Sequence, residues 1–434
     1  MRDNTRQMPR PLLVAGCSQL LTLRGPVPRR GRALRDPGII ADGALLIRDG
    51  IIVAVGPRRD VARLAEARRA KHLDLGGRVV LPGLVDSHTH LIFARSRVED
   101  YAARIEGKTH EQIARAGGGI LSSVRALRAA PAGILKQRAL ADLAEFAAHG
   151  TTTLEAKSGY GLDVNSELKM LRVLRELHQE QPLDIVSTFL GAHVVPPEFR
   201  RRSDDYVDFL VRLLIPQIAL EGLAEFCDVY CDRGAFSVAQ ARLIFQVARA
   251  CGLTPRMHAE QLSRSGGARL AVEIDAASAD HLERVNGGDI RALANSNVVA
   301  TLLPGCDFHL ATGRYAPARA LIAAGAAVAL ATDYNPGTCP TLSLPMILSI
   351  ACSQMRMTPA EAIAAATINP AYSLRRHGRI GSLEVGKYAD LAVFDVADYR
   401  EIPYYFGVNR CCMTLKQGNV IHSSAAANAR LPAP

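Results

Sequence analysis

The sequence predicts an α/β chain: a (β/α)8 TIM barrel carrying a small β-sandwich domain formed from both chain termini. Three observations predict it. Eight short apolar runs, often β-branched, alternate with amphipathic helical stretches over about 270 residues. Strand-like segments of similar character stand at both ends of the chain, outside that alternation. Residues able to do chemistry (His88, His90, Lys157, His193, His258, His281 and Asp333) stand where the apolar runs end. In barrels of this kind active residues lie at the C-terminal ends of the strands.

Taken in order, residues 1–36 form an arginine-rich N-terminal leader. It lacks the apolar core of a signal peptide, and its prolines suit a transit helix poorly. A solvated, partly disordered segment is expected there. Residues 37–82 open the small β domain with Ala44–Arg48 and Ile51–Gly56 flanking Asp49-Gly50, a strong hairpin signal. The barrel is expected over 83–374, with strands at Val79–Val85, Thr151–Leu154, Ile185–Leu190, Glu225–Tyr230, Thr254–His258, Ala276–Asp280, Val298–Leu303 and Ala327–Ala331. Helices with 3.6-residue periodicity fall between them, as at Asn165–Gln181 and Ala235–Cys251. A late helix is marked by Thr358 as N-cap, Pro359 at its first position and Glu361 completing a capping box. Residues 375–434 return to the small domain through Asp390–Asp395 and Gly418–Ile421. The rival fold, a doubly wound nucleotide-binding sheet, lacks its Gly-x-Gly-x-x-Gly turn after the first strand.

Composition sets the class. The 434 residues are 48% apolar and 22% charged, enough for a large core in an ordinary globular chain. No apolar run reaches the ~18 uncharged residues of a membrane span. The net charge of +10 raises a nucleic-acid reading. However, the arginines are scattered along helices with no binding motif and no aromatic ladder, so no nucleic-acid partner is expected. Nine cysteines, an odd number without framework spacing, indicate a reducing cytoplasm. Cys227 and Cys231 have no second pair to complete a metal knuckle.

His88 and His90 are two apart on extended chain, so their imidazoles share a face. His258 adds a third nitrogen and Asp333 an oxygen, a ligand set that suits zinc or iron and leaves a position for water. Such an ion lowers the pKa of water from about 15.7 to about 7 and polarises a carbonyl. Asp333 can take the proton from that water. His281, one strand beyond His258, is placed to donate to a developing oxyanion or to shuttle a proton. Hydrolysis is the reaction class this set supports.

These residues also carry a resemblance. Asp86-Ser87-His88-Thr89-His90, the late Asp333 and Gly378 to Leu391 resemble the metal-dependent amidohydrolase superfamily. Gly117-Gly118-Gly119-Ile120, Lys157 to Leu162, Thr188 to His193, Ser278 to Leu282 and Asp333 to Gly337 resemble the imidazolonepropionase family within it. The resemblance covers about residues 40 to 422. It implies ring opening of 4-imidazolone-5-propanoate by water to N-formimidoyl-L-glutamate, a step of histidine degradation. It also implies one Zn2+ or Fe3+ per subunit, and a homodimer. By the same resemblance Arg97 grips the propanoate. Tyr160, His193, Gln261, Asn335, Gly337 and Thr338 contact substrate or product, Gly337 letting a backbone N–H approach a carboxylate. Gln261 joins Asp333 and His281 among the catalytic residues. Lys157, which bridges two metals in binuclear relatives, is read as a pocket or structural lysine. Arg95 and His110 depart from the family pattern. The alternatives are another amidohydrolase, such as a nucleobase deaminase, and a non-catalytic scaffold that keeps the barrel.

Overall fold

The computed structural model describes residues 10–425. Eight parallel strands make the barrel: β1 (Leu84–Asp86), β2 (Thr151–Lys157), β3 (Asp184–Ala192), β4 (Phe226–Cys231), β5 (Thr254–Ala259), β6 (Ser278–His281), β7 (Val299–Leu302) and β8 (Ala327–Leu330). Each pairs with its sequence neighbour in parallel register from β1 to β8. Both faces of these strands are covered, which is why they read as continuous apolar runs rather than alternating ones.

The seam between β1 and β8 closes at the C-terminal rim. Asp333 N donates to His88 O at 3.0 Å, and His90 N donates to Tyr334 O at 2.8 Å. Nearer the other end the seam is filled by different chain: Val85 N donates to Ala366 O at 2.9 Å, and Ala327 pairs with Arg30. The helix Ile368–Ser373 stops the barrel floor, with Ala371 and Leu374 packed on Val85, Val186 and Phe226.

Ten further strands form the small domain as two sheets. One has four strands, Ile51–Pro57, Gly43–Arg48, Leu12–Ala15 and Lys71–Asp74 in spatial order. The other has six: Asn419–Ser423, Cys411–Lys416, Leu391–Phe394, Val79–Pro82, Gln19–Leu21 and Ile39–Ala41. Val14, Leu45 and Ile47 of the first sheet share one core with Leu20, Val80, Leu391 and Met413 of the second. At the hairpin, Asp49 and Gly50 both have positive φ (51° and 78°), the conformation a type I′ turn needs.

Three expectations are corrected. The Val79–Val85 run is two strands, split at Gly83 between the small domain and the barrel. A Cβ at Gly83 would overlap the Thr152 side chain. Within the expected leader, residues 10–36 are built into the molecule, while residues 1–9 lie outside the described residues. Leu12–Ala15 and Gln19–Leu21 are sheet strands, and Arg29 is 1% exposed. Arg30 donates to Ala294 O, Gly325 O and Ser296 O at 3.1, 3.2 and 2.6 Å. Arg30 thus satisfies carbonyls around the barrel, and Arg29 satisfies those of its own segment at Ala33, Asp36 and Arg24, a use that a count of charge hides. Finally, Cys411–Lys416 is a buried strand of the six-stranded sheet outside the expected pair of C-terminal strands.

Candidate metal centre

β1 ends in Asp86, whose carboxylate accepts from Thr332 N (3.1 Å) and Thr332 Oγ1 (2.6 Å) across the seam. The segments after β1 and β8 are thereby fastened together, and the chain beyond carries His88, His90 and Asp333. His88 Nε2 lies 3.7 Å and His90 Nε2 3.5 Å from Asp333 Oδ1. Those separations are long for a charge-assisted hydrogen bond. They suit donors that share an ion, since ligands at about 2.0–2.1 Å around a tetrahedral centre stand about 3.3 Å apart. His88, His90 and Asp333 form one compact donor group, and His88, His258 and His281 form another. His88 belongs to both.

The rings are held from behind. His88 Nδ1 is 2.7 Å from Asp280 Oδ2, and His258 Nδ1 is 3.1 Å from Asp228. With those nitrogens donating, each Nε2 keeps its lone pair, and both Nε2 atoms are buried with no partner among the described residues. Burial, then the neighbouring basic groups, holds His88 and His90 well below the ordinary imidazole range, so both are neutral donors. Burial raises Asp333 to about 6, opposed by His281 and His258. Burial also works against charge on His281. Glu283, 3.6 Å from its Nδ1, outweighs that effect and lifts the pKa to about 9. These neutral imidazoles and the buried carboxylate fit a zinc or iron ion.

Asp333 (φ 55°), His281 (φ 79°) and Leu282 (φ 75°) all have left-handed backbone, which is costly for residues with a Cβ. Main-chain bonds from Asp333 N to His88 O and from Leu282 N to Ala259 O (3.1 Å) hold two of these turns.

His90, His258 and His281 floor a cavity of about 570 Å³ on the C-terminal face. Its wall includes Arg97, Tyr160, His193, Gln261, Asn335 and Thr338. Arg97 Nε donates to Asp100 Oδ2 at 2.9 Å. The same oxygen accepts from Gly119 N at 2.9 Å, so the glycine triplet seats Asp100 and Asp100 aims Arg97. His193 stacks on His90 with centroids 5.1 Å apart, and its Nδ1 donates to Gly159 O at 3.0 Å. Burial, reinforced by the neighbouring His258 ring, lowers His193 to about 3, which keeps it neutral. Tyr160 packs beside both rings. Gln261 Nε2 lies 3.7 Å from Cys306 Sγ.

Several site residues stand differently from expectation. The N–H of Gly337 donates to Asn335 Oδ1 at 2.8 Å, so it is not free for a substrate carboxylate. The missing side chain serves Arg97 instead, because a Cβ at 337 would overlap its guanidinium. Asn335 accepts from Gly337 N and Thr338 N and donates to Asp333 O, so it holds the loop as well as lining the cavity. Lys157 is fully buried, 2.8 Å from both Glu155 and Asp228, and is structural. Arg95 is exposed and outside the cavity wall, whereas His110 is part of that wall. Cys227 and Cys231 belong to no metal-ligating group among the described residues. Sequence reasoning missed Asp100, Asp228 and Asp280. Asp280 was legible in principle, directly before His281 in a strand; Asp228 is legible only once β4 is known to lie beside β5.

Comparison with known proteins agrees with this geometry. Residues 79–421 match the model of the amidohydrolase family. Over 419 residues the chain is 48% identical to the imidazolonepropionase of Geobacillus kaustophilus, covering 95% of this chain and 98% of that one. The imidazolonepropionase of Solibacter usitatus is 50% identical over 392 residues, 90% of this chain and 94% of the other. This chain belongs to the imidazolonepropionase branch of the amidohydrolase family. Its fold is also that of a zinc-bound adenosine deaminase from Xanthomonas campestris, with TM-score 0.68, 17% identity and 96% of each chain covered. Among the described residues no helix is long and apolar enough to cross a membrane.

Proposed function

We infer that this chain hydrolyses the cyclic amide of 4-imidazolone-5-propanoate to N-formimidoyl-L-glutamate, using one zinc or iron ion held by His88, His90, His258 and Asp333. The observation that carries this reading is one cavity with two ends. At its floor the unpartnered imidazole nitrogens converge, and on its wall Asp100 holds a guanidinium ready for a carboxylate. The zinc of the structural neighbour favours zinc over iron.

When bound, the ion supplies Lewis acidity that makes water a competent nucleophile near neutral pH. The chain's own residues do the rest. Arg97 takes the propanoate through its two terminal nitrogens, its Nε being occupied by Asp100. Asp333 accepts a proton from the attacking water. His281, charged through Glu283, donates to the oxygen that becomes negative as the ring carbonyl is attacked. The C–N bond then breaks, and the ring nitrogen leaves with the proton returned from Asp333. Tyr160, His193 and Gln261 close around the ring and limit water to the one that reacts. The nine free cysteines among the described residues, most of them buried, support a reducing cytoplasm as the setting.

The test is product identity. The substrate, generated enzymatically, should yield a product heavier by one water and identical to N-formimidoylglutamate, with no ammonia released. Release of ammonia would favour the deaminase alternative. A chain that cannot be loaded with metal would favour the scaffold.

A further inference from the structure

A second and larger cavity, about 770 Å³, opens at the opposite end of the barrel. It lies below the N-terminal ends of β3 and β4, between the segment 375–380 and the small domain's Tyr388 and Gln417. Nothing in the hydrolytic reading uses it.

Its charge is unbalanced. Four arginines line it, at 175, 375, 376 and 379, against two carboxylates, Asp184 and Glu225. Both acids are already engaged. Glu225 takes Arg376 through both oxygens at 2.6 Å, and Asp184 takes Lys416 at 2.7 Å. Arg379 donates to the hydroxyl of Tyr388 at 2.6 Å, and Arg175 reaches a backbone carbonyl, Glu221 O, at 3.5 Å. Arg375 is exposed at the rim, with its backbone in the left-handed region (φ 57°). His377 adds a buried Nδ1 with no hydrogen-bond partner among the described residues. Among the described residues none of Arg175, Arg375 and Arg379 has a carboxylate within ion-pair distance, although Glu221 feels the Arg175 charge, and the floor beneath them includes Ile185, Leu223 and Ile380. A planar fork of donors suits phosphate and carboxylate oxygens, and several forks in one cavity select for more than one negative group.

We propose that this basal cavity is a binding site for a small organic anion bearing two or more phosphate or carboxylate groups, gripped by Arg175, Arg375 and Arg379. The volume exceeds that of a single inorganic ion, and the apolar floor gives a carbon skeleton somewhere to rest.

Calorimetric titration of the full-length, metal-loaded protein tests this, using pyrophosphate, citrate and orthophosphate at matched ionic strength. One pyrophosphate or citrate should bind per chain, more tightly than orthophosphate. Preference between the first two separates a phosphorylated from a carboxylate ligand. Arg375→Gln with Arg379→Gln should weaken binding by about a hundredfold, about tenfold for each guanidinium lost, while turnover stays unchanged. Arg97→Gln should leave this binding intact. The single Arg375→Gln variant, altered only at an exposed residue, keeps the test valid if the double variant unfolds. No binding by the wild type, equal binding by the variants, or loss of binding in Arg97→Gln would overturn the proposal. So would a preference for a DNA oligonucleotide with pyrophosphate silent.

Discussion

At the scale of single residues, the site is governed by carboxylates standing behind the imidazoles. Asp280 fixes His88, and Asp228 fixes His258 while sharing Lys157 with Glu155. Asp280→Asn should therefore weaken metal binding about 10–100-fold with the fold retained, read by competition with a chelator. Asp333→Asn should lower kcat by about 10²–10⁴ in metal-loaded protein. Full activity in that variant would remove Asp333 as the proton acceptor. Asp86 gives a pH prediction. Burial raises its carboxyl from 3.8 to about 7, against the hydrogen bonds from Thr332. The folded state thus favours the protonated form, and the stability Asp86 contributes is full below about 4 and lost as pH rises through about 7. Asp86→Asn should flatten that part of the apo-protein's stability profile in urea titrations at stepped pH. An unchanged slope would show that the carboxyl titrates normally.

At the scale of elements, the decisive contacts are between segments distant in sequence. Asn369 accepts from Arg29 N (2.8 Å) and donates to Arg29 O (2.9 Å) and Val328 O (2.8 Å), tying the N-terminal segment to β8 where the seam is open. Asn369→Ala leaves three buried backbone groups unpaired and should cost about 2–4 kcal/mol, visible as a lower urea midpoint. The loop after β8 is a second joint. Gly337→Ala would push the Arg97 guanidinium aside, so it should raise KM more than it lowers kcat. A kcat loss with KM unchanged would place the fault at the metal instead. Elements whose signal is local were legible in the sequence, among them the Asp49-Gly50 hairpin, the Thr358 capping box, and the helix now bounded as Val164–Glu180. The break at Gly83 was not, because Val79 to Asp86 is a single apolar run and only packing on Thr152 divides it. The N-terminal strands were masked for the opposite reason: the arginines around them read as solvated, whereas Arg29 is buried on its own segment and Arg30 reaches carbonyls more than two hundred residues away.

At the scale of the whole molecule, the barrel brings together at one rim residues spread from His88 to Asp333. The period of its apolar runs foretold that convergence, since every strand end in a parallel barrel faces the same way. The wall of the cavity was harder to read. The seating of Asp100 depends on how the segment 97–120 folds back to bring Gly119 N to its carboxylate. The opposite end of the molecule gathers four arginines against two carboxylates around its own cavity. The central claim is that one ion held by these imidazoles opens an imidazolone ring. It is tested most directly by following the ultraviolet absorbance of 4-imidazolone-5-propanoate with metal-loaded wild type and His258→Ala side by side. Rapid loss of absorbance with the wild type alone is the expected result. Equal rates in the two proteins, or no turnover by metal-loaded wild type, would contradict it.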